Sequence, residues 1–196
     1  MTLPAVTHVL YLHGFRSAPQ STKARMLASW LSRHRPDVVW CCPQLPPSPA
    51  RSLREVQVLT ADWPHDAAGL VGSSLGGFYA TVLAERIGCR AVLLNPAVDP
   101  ARDLARYIGE ITAWHSDASF DFRPEFVDEL RELAPAALTD PGRYLAIIAK
   151  GDEVLDWREM RARYAGCQLR LLEGSDHALS DFESHLPDLL RFLDLG

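Results

Sequence analysis

Short apolar runs, each the length of a strand, recur along this chain: "VTHVLYL" at 6–12, "VVWCC" at 38–42, "GLVGS" at 69–73, "RAVLLN" at 90–95, "YLAIIAK" at 144–150 and "QLRLLE" at 168–173. Most are continuous rather than alternating, the pattern of strands covered on both faces. Between them, apolar residues fall at helical spacing in 21–34, where Met26, Leu27, Trp30 and Leu31 share a face, and again in 53–61, 75–87, 157–165 and 180–193. Such alternation predicts an α/β fold: a six-stranded, mostly parallel sheet with helices on both faces. With 196 residues, 47% of them hydrophobic, the chain can bury one sizeable core, so a single domain over 1–196 is expected.

Two segments break the rhythm. "PQLPPSPA" at 43–50 reads as an extended, proline-stiffened loop, because each proline disfavours helix at the residue before it. The longer interruption, 96–143, contains a helical stretch bracketed by Pro124 and Pro135, with Phe126, Val127, Leu130 and Leu133 on one face. It is too short for a separate domain and reads as a cap-like excursion over the sheet edge.

In an open α/β sheet, ligands bind beyond the carboxyl ends of the strands. The residues just after the strands are therefore the candidates for chemistry. After the first come His13, Gly14 and Phe15; after the third, Ser74; after the fifth, Gly151 and Asp152; after the last, Gly174, Ser175, Asp176 and His177. "VGSSLGG" holds two adjacent serines, but only Ser74 has glycine two residues before it (Gly72) and two after (Gly76), as a tight strand-to-helix elbow requires. A serine hydroxyl needs a base to become a nucleophile and the base needs an acid to orient it; His177 and Asp152 are the candidates. The chain order Ser…Asp…His is that of the α/β-hydrolase architecture. "GDEVLD" also offers Asp156, and Asp152 is preferred as nearer the strand end. Asp176, adjacent in the chain to His177, is poorly placed to brace the far side of its ring, and His185 falls in the final helix. The backbone N–H groups of Leu75 and Phe15 are the expected oxyanion donors. Ser74 as a plain helix N-cap is the bland alternative.

His13 is expected to organise its loop. Gly14, Leu155 and Leu179 are the predicted substrate contacts, with Trp157, Phe182, Trp114, Phe120 and Phe122 as further apolar residues near the acid, the base or the excursion. Arg158, Arg161 and Arg163 read as a solvated helix face.

Other classes of function fit less well. A net charge of −5 without a Lys/Arg run argues against nucleic acid or an anionic membrane as partner. No apolar stretch approaches a membrane span and the N-terminus lacks the pattern of a secretory signal, so a cytoplasmic protein is expected. Cys41, Cys42, Cys89 and Cys167 show no C-x-x-C spacing and read as reduced core residues. The seven histidines form no H-x-x-x-H or H-E-x-x-H, so no metal site is expected, and hydrolysis through an acyl-serine requires no cofactor. "GSSLGG" is not a phosphate loop, since neither G-x-x-x-x-G-K-[ST] nor G-x-G-x-x-G is present. No heptad seam is visible, and the oligomeric state stays open.

"LYLHGF", "PQLPP", "GLVGSSLGG", "LNPAV", "GDEVLD" and the late "DHAL", in that order, resemble the YqiA-type esterases, compact bacterial α/β hydrolases. The resemblance runs from Leu10 to the last helix and is loose over 49–68 and 101–143. It implies a minimal α/β-hydrolase sheet, a serine esterase acting on small acyl esters or acyl-CoA thioesters, and a nucleophile, acid and base at Ser74, Asp152 and His177.

Overall fold

The structure, a computed structural model, describes residues 4–112 and 119–196; Trp114 lies outside them. Along the chain run β1 (His8–Leu12), α1 (Thr22–His34), β2 (Val39–Cys41), α2 (Pro49–Leu59), β3 (Ala68–Ser73), α3 (Leu75–Ile87), β4 (Arg90–Leu94) and α4 (Pro100–Leu104). Then come β5 (Gly109–Thr112), β6 (Ser119–Phe122), α5 (Pro124–Leu133), β7 (Tyr144–Ala149), α6 (Trp157–Arg163), β8 (Gln168–Leu172) and α7 (Leu186–Phe192).

Six strands form one sheet in the order β2-β1-β3-β4-β7-β8, and every neighbouring pair is parallel rather than most of them. The strand order reverses between β1 and β3, which opens a crevice beyond their carboxyl ends. Their register aligns Leu12 with Gly72, so the segment after β1 leaves the sheet beside the segment after β3.

The continuous apolar runs are explained by the two cores. Leu10, Leu12, Leu70, Leu93 and Ile148 face α2, α3, α5 and α6, whereas Val9, Tyr11, Val71, Val92 and Ile147, one residue out of step, face α1 and α7. Ten residues of α3, Leu75 to Ala84, are buried, so this helix is apolar all round and lies against the centre of the sheet.

Two boundaries differ from the sequence reading. Helix α2 starts at Pro49, inside the expected loop: Ser48 is extended and its hydroxyl accepts from the Arg51 N–H at 3.2 Å, and proline is tolerated at the first helical position because its missing N–H would have no partner there. The final helical segment is broken, with a single 3-10 turn at Phe182–Ser184 before α7. The excursion holds an element that periodicity did not reveal, the antiparallel ribbon β5–β6, in which Gly109 pairs with Phe122 and Thr112 with Ser119.

Candidate functional site

Ser74 joins β3 to α3 with φ 55° and ψ −118°, a region that side chains occupy only under constraint. The constraint is the close approach of backbone on either side. A Cβ at Gly72 would lie 2.2 Å from the Gly76 carbonyl oxygen, and one at Gly76 would lie 1.9 Å from that of Leu12. The Ser74 N–H donates to Leu94 O at 3.0 Å, and its carbonyl accepts from the N–H groups of Gly77 (2.9 Å) and Ala97 (3.0 Å). The hydroxyl of Ser74 makes no capping bond to α3. It lies 3.1 Å from His177 Nε2 instead. Ser73, 8% exposed, belongs to β3 and is buried.

His177 and Asp152 come from the loops after β8 and β7. Their contact, Nδ1 to Oδ2, is 2.8 Å, and the Asp152 side chain is wholly inaccessible to solvent. The other carboxylate oxygen accepts from the N–H groups of Val154 and Leu155, both at 2.8 Å. A carboxylate pinned in this way draws the imidazole proton to Nδ1 and leaves Nε2 free to accept from the serine. Asp156 is occupied elsewhere: it caps α6 by accepting from the Arg158 N–H at 2.9 Å. Asp176 accepts from the Ser180 N–H and hydroxyl at 2.9 and 2.6 Å, contacts that hold its carboxyl below the ordinary value. His185 pairs with Asp181 at 3.0 Å.

Beyond the serine, the N–H of Leu75 opens α3, where a helix leaves its first donors without internal acceptors. Neither this group nor the N–H of Phe15 donates to an acceptor among the described residues. The loop carrying Phe15 is held by His13, 4% exposed, whose Nε2 accepts from the Leu45 N–H at 3.1 Å while Nδ1 reaches the Gly14 carbonyl at 2.9 Å. From the other side, the Phe15 ring packs on Phe120, Phe122 and Tyr107 of the excursion, with centroids 6.0, 5.2 and 5.6 Å away.

A cavity of about 470 Å³ opens beside these donors, lined among others by Gly14, Phe15, Leu45, Leu75, Tyr79 and Phe120. Of the predicted substrate contacts, Gly14 borders it, and a Cβ there would come within 3.3 Å of Ser74 Cβ. Leu179 is corrected: it is 2% exposed and buried in the core beneath α1 and α7, with a positive φ of 49° where the chain turns after the histidine. Leu155 is half-buried against the opposite core, and its N–H donates to Asp152. Phe122 and Phe182 are core as well. The cavity's far wall, Leu45 to Pro47, and Tyr79 were not singled out from sequence, since nothing local tells a cavity-lining residue from a core one.

Arg158 stacks over Trp157 and Arg163 donates to the Pro135 and Ala136 carbonyls, the latter tying α6 to the end of the excursion. Among the described residues no group of three His, Cys, Asp or Glu side chains is placed to hold a metal ion, and no helix is long and apolar enough to cross a membrane.

Residues 8–194 match the family model described as an uncharacterised protein family, UPF0227. Among solved structures, the chain is similar to alpha/beta hydrolase domain-containing protein 10 from mouse, with 15% identity over 97% of this chain and 92% of that one and a TM-score of 0.71. It is similar to a structure from work on the metagenome-derived lipolytic enzymes LipS and LipT, with 20% identity, 98% and 95% coverage and a TM-score of 0.72. It is also similar to Est1E from Butyrivibrio proteoclasticus, solved with ferulic acid, with 14% identity, 97% and 89% coverage and a TM-score of 0.71. At these identities the likeness establishes the α/β-hydrolase fold.

Proposed function

The chain belongs to the UPF0227 family, the YqiA-type α/β hydrolases, and on that premise we propose that it is a serine esterase cleaving small carboxylic esters or acyl thioesters through an acyl-serine intermediate. One observation carries the reading: Ser74 Oγ, His177 and Asp152 form a continuous hydrogen-bonded line, 3.1 and 2.8 Å long, beside two N–H groups without acceptors among the described residues.

In this mechanism Ser74 Oγ attacks the acyl carbonyl while its proton passes to His177 Nε2. The carbonyl oxygen gains the negative charge and is received by the N–H groups of Leu75 and Phe15; donors fixed by the backbone before reaction need little rearrangement as charge develops. The tetrahedral intermediate collapses, the bond to the alcohol or thiol breaks, and the imidazolium returns the proton to that leaving group. Water, deprotonated by His177, then attacks the acyl-serine by the same route and frees the carboxylic acid. Asp152 keeps the ring in the required tautomer and stabilises its charged form. The acyl group occupies the cavity between Phe15, Tyr79 and Phe120, whose mostly apolar wall suits a hydrocarbon or aromatic acid. No bound metal or cofactor enters any step of this mechanism.

The test is covalent labelling. Intact-mass analysis after incubation with a fluorophosphonate is expected to show one adduct on the wild type and on Ser73→Ala, and none on Ser74→Ala. A folded wild type that takes no label overturns the reading. Rates on matched acetyl, butyryl and aryl esters, thioesters and amides then sort the substrate class.

A further inference from the structure

The loop that carries His177 leaves the sheet at its edge strand, β8, yet the imidazole must meet a serine that follows β3. Two strands, β4 and β7, stand between them. Asn95, the residue immediately after β4, spans this gap. Its side chain is completely buried, and each of its hydrogen-bonding groups is used. Nδ2 donates to the Asp176 carbonyl at 2.9 Å and to the His177 carbonyl at 3.2 Å. Oδ1 accepts from the Ala149 N–H at 2.8 Å, at the end of the strand that leads to Asp152. Its own N–H donates to Ile147 O at 3.0 Å, and the preceding carbonyl, Leu94 O, accepts from the Ser74 N–H at 3.0 Å.

The Asn95 carboxamide thus connects the acid and histidine segments, and the peptide group just before it holds the serine segment. The chemistry selects asparagine twice over. With φ 43° the backbone sits in the left-handed region, which asparagine tolerates better than most residues. Two carbonyls and one N–H converge on the side chain, and only a carboxamide offers two donors and an acceptor in that arrangement. Aspartate would set an oxygen against two carbonyl oxygens. Two further contacts tie the loop to other segments, both open to solvent: Lys23 Nζ donates to Ala178 O, and Glu153 accepts from the His177 N–H at 3.0 Å.

We infer that Asn95 is a positioning residue that sets His177 against Ser74 and Asp152, acting through the histidine rather than on the substrate. The inference rests on the esterase reading only where rates are used. Asn95→Gly keeps the positive φ and removes the three side-chain bonds; Asn95→Asp keeps the size and the acceptor and removes the donors. Both are expected to slow fluorophosphonate labelling and to lower kcat for a butyryl ester by roughly 10- to 100-fold, the scale of a misplacement of about 1 Å, with KM changed less than about threefold. Introduced into His177→Ala, either change is expected to slow the residual reaction no further. Leu189→Ala, on the buried face of α7 and without a bond to any of the site residues named above, supplies a control for general destabilisation and is expected to keep kcat at low temperature. Equal losses with and without His177, or losses that Leu189→Ala reproduces at matched stability, overturn the inference.

A second readout needs no turnover. The downfield Nδ1–H proton resonance of His177, identified by its absence from His177→Ala, is expected in the wild type and should broaden or vanish in both Asn95 variants. Its persistence unchanged in either folded variant overturns the inference. A wild type that fails to label sinks the esterase reading alone, since the resonance still decides the role of Asn95.

Discussion

The backbone at Ser74 is affordable only because nothing larger than hydrogen projects from Gly72 and Gly76. At Gly76 the atoms a methyl group would strike are the Leu12 carbonyl and, 2.7 Å away, that of His13, both main chain and both in the segment that presents Phe15. No flexible side-chain tip can swing aside. Gly76→Ala is therefore expected to force β1 and α3 apart, costing about 1–3 kcal/mol in a urea titration and abolishing fluorophosphonate labelling. A variant that labelled at the wild-type rate would show that the elbow tolerates separation from the oxyanion loop. Asp152→Asn tests a different dependence. The amide keeps an oxygen for the Val154 and Leu155 N–H groups, so the fold should survive, but its nitrogen would donate to His177 Nδ1 and move the ring proton to Nε2, where it can no longer accept from Ser74. The expected loss in kcat is on the order of 10⁴-fold, the scale of the wrong tautomer in a serine hydrolase, with the melting temperature within a few degrees of wild type.

Among the elements, those whose sequence carries its own signal were legible. Helix α3 spans 75–87 as its apolar pattern indicates, and α5 fills the interval that Pro124 opens. The strand runs were legible because burial on both faces leaves them apolar throughout. The ribbon β5–β6 was not: each strand has four residues, only Ile111 and Phe122 are buried, and the six residues between the strands give no two-residue turn signal. Asn95 escaped for another reason. "LNPAV" marks a strand exit, but the three segments that Asn95 joins are up to 82 residues away in the chain and meet only when the sheet is assembled. The juxtaposition of Ser74, Asp152 and His177 was legible because a parallel sheet brings its strand ends to one edge, whereas Leu179 shows that proximity in the chain to the histidine says nothing about which way a side chain turns.

The ribbon has a measurable consequence. Phe120, half-buried, lines the cavity and packs edge-on against Phe15. Phe120→Ala is expected to raise KM for butyryl and aryl esters by roughly tenfold, as loss of part of a buried aromatic contact implies. Acetyl esters, too short to reach the ring, should be little affected. An equal change for all chain lengths would place the acyl group elsewhere.

At the scale of the whole molecule, the candidate site and a half-buried carboxylate contact lie at opposite ends of the sheet. The candidate site lies at the carboxyl ends of the strands. At the amino end of β7, the Tyr144 hydroxyl donates to Glu85 of α3, and the Thr139 N–H donates to the same carboxylate at 2.9 Å, joining helix, strand and the end of the excursion. Burial pushes the Glu85 carboxyl up, but the Tyr144 and Thr139 donors outweigh it and hold the group below its ordinary 4.5. A carboxyl depressed on folding stabilises the native state wherever it is ionised in both states, above about 4.5, and that contribution fades as pH falls through the depressed value. Glu85→Gln keeps an acceptor but has no charge to lose. Wild type is thus expected to melt above the variant at pH 7, by a few degrees on the scale of roughly 2–4 °C per kcal/mol for a chain of this size. The gap should narrow steadily from about pH 4.5 downward. Ester hydrolysis at pH 7 should be the same for both, because Glu85 touches nothing at the carboxyl edge of the sheet. A melting-temperature difference independent of pH would mean that the contact acts through packing alone, and a parallel loss of hydrolysis would mean that the two ends of the sheet are coupled.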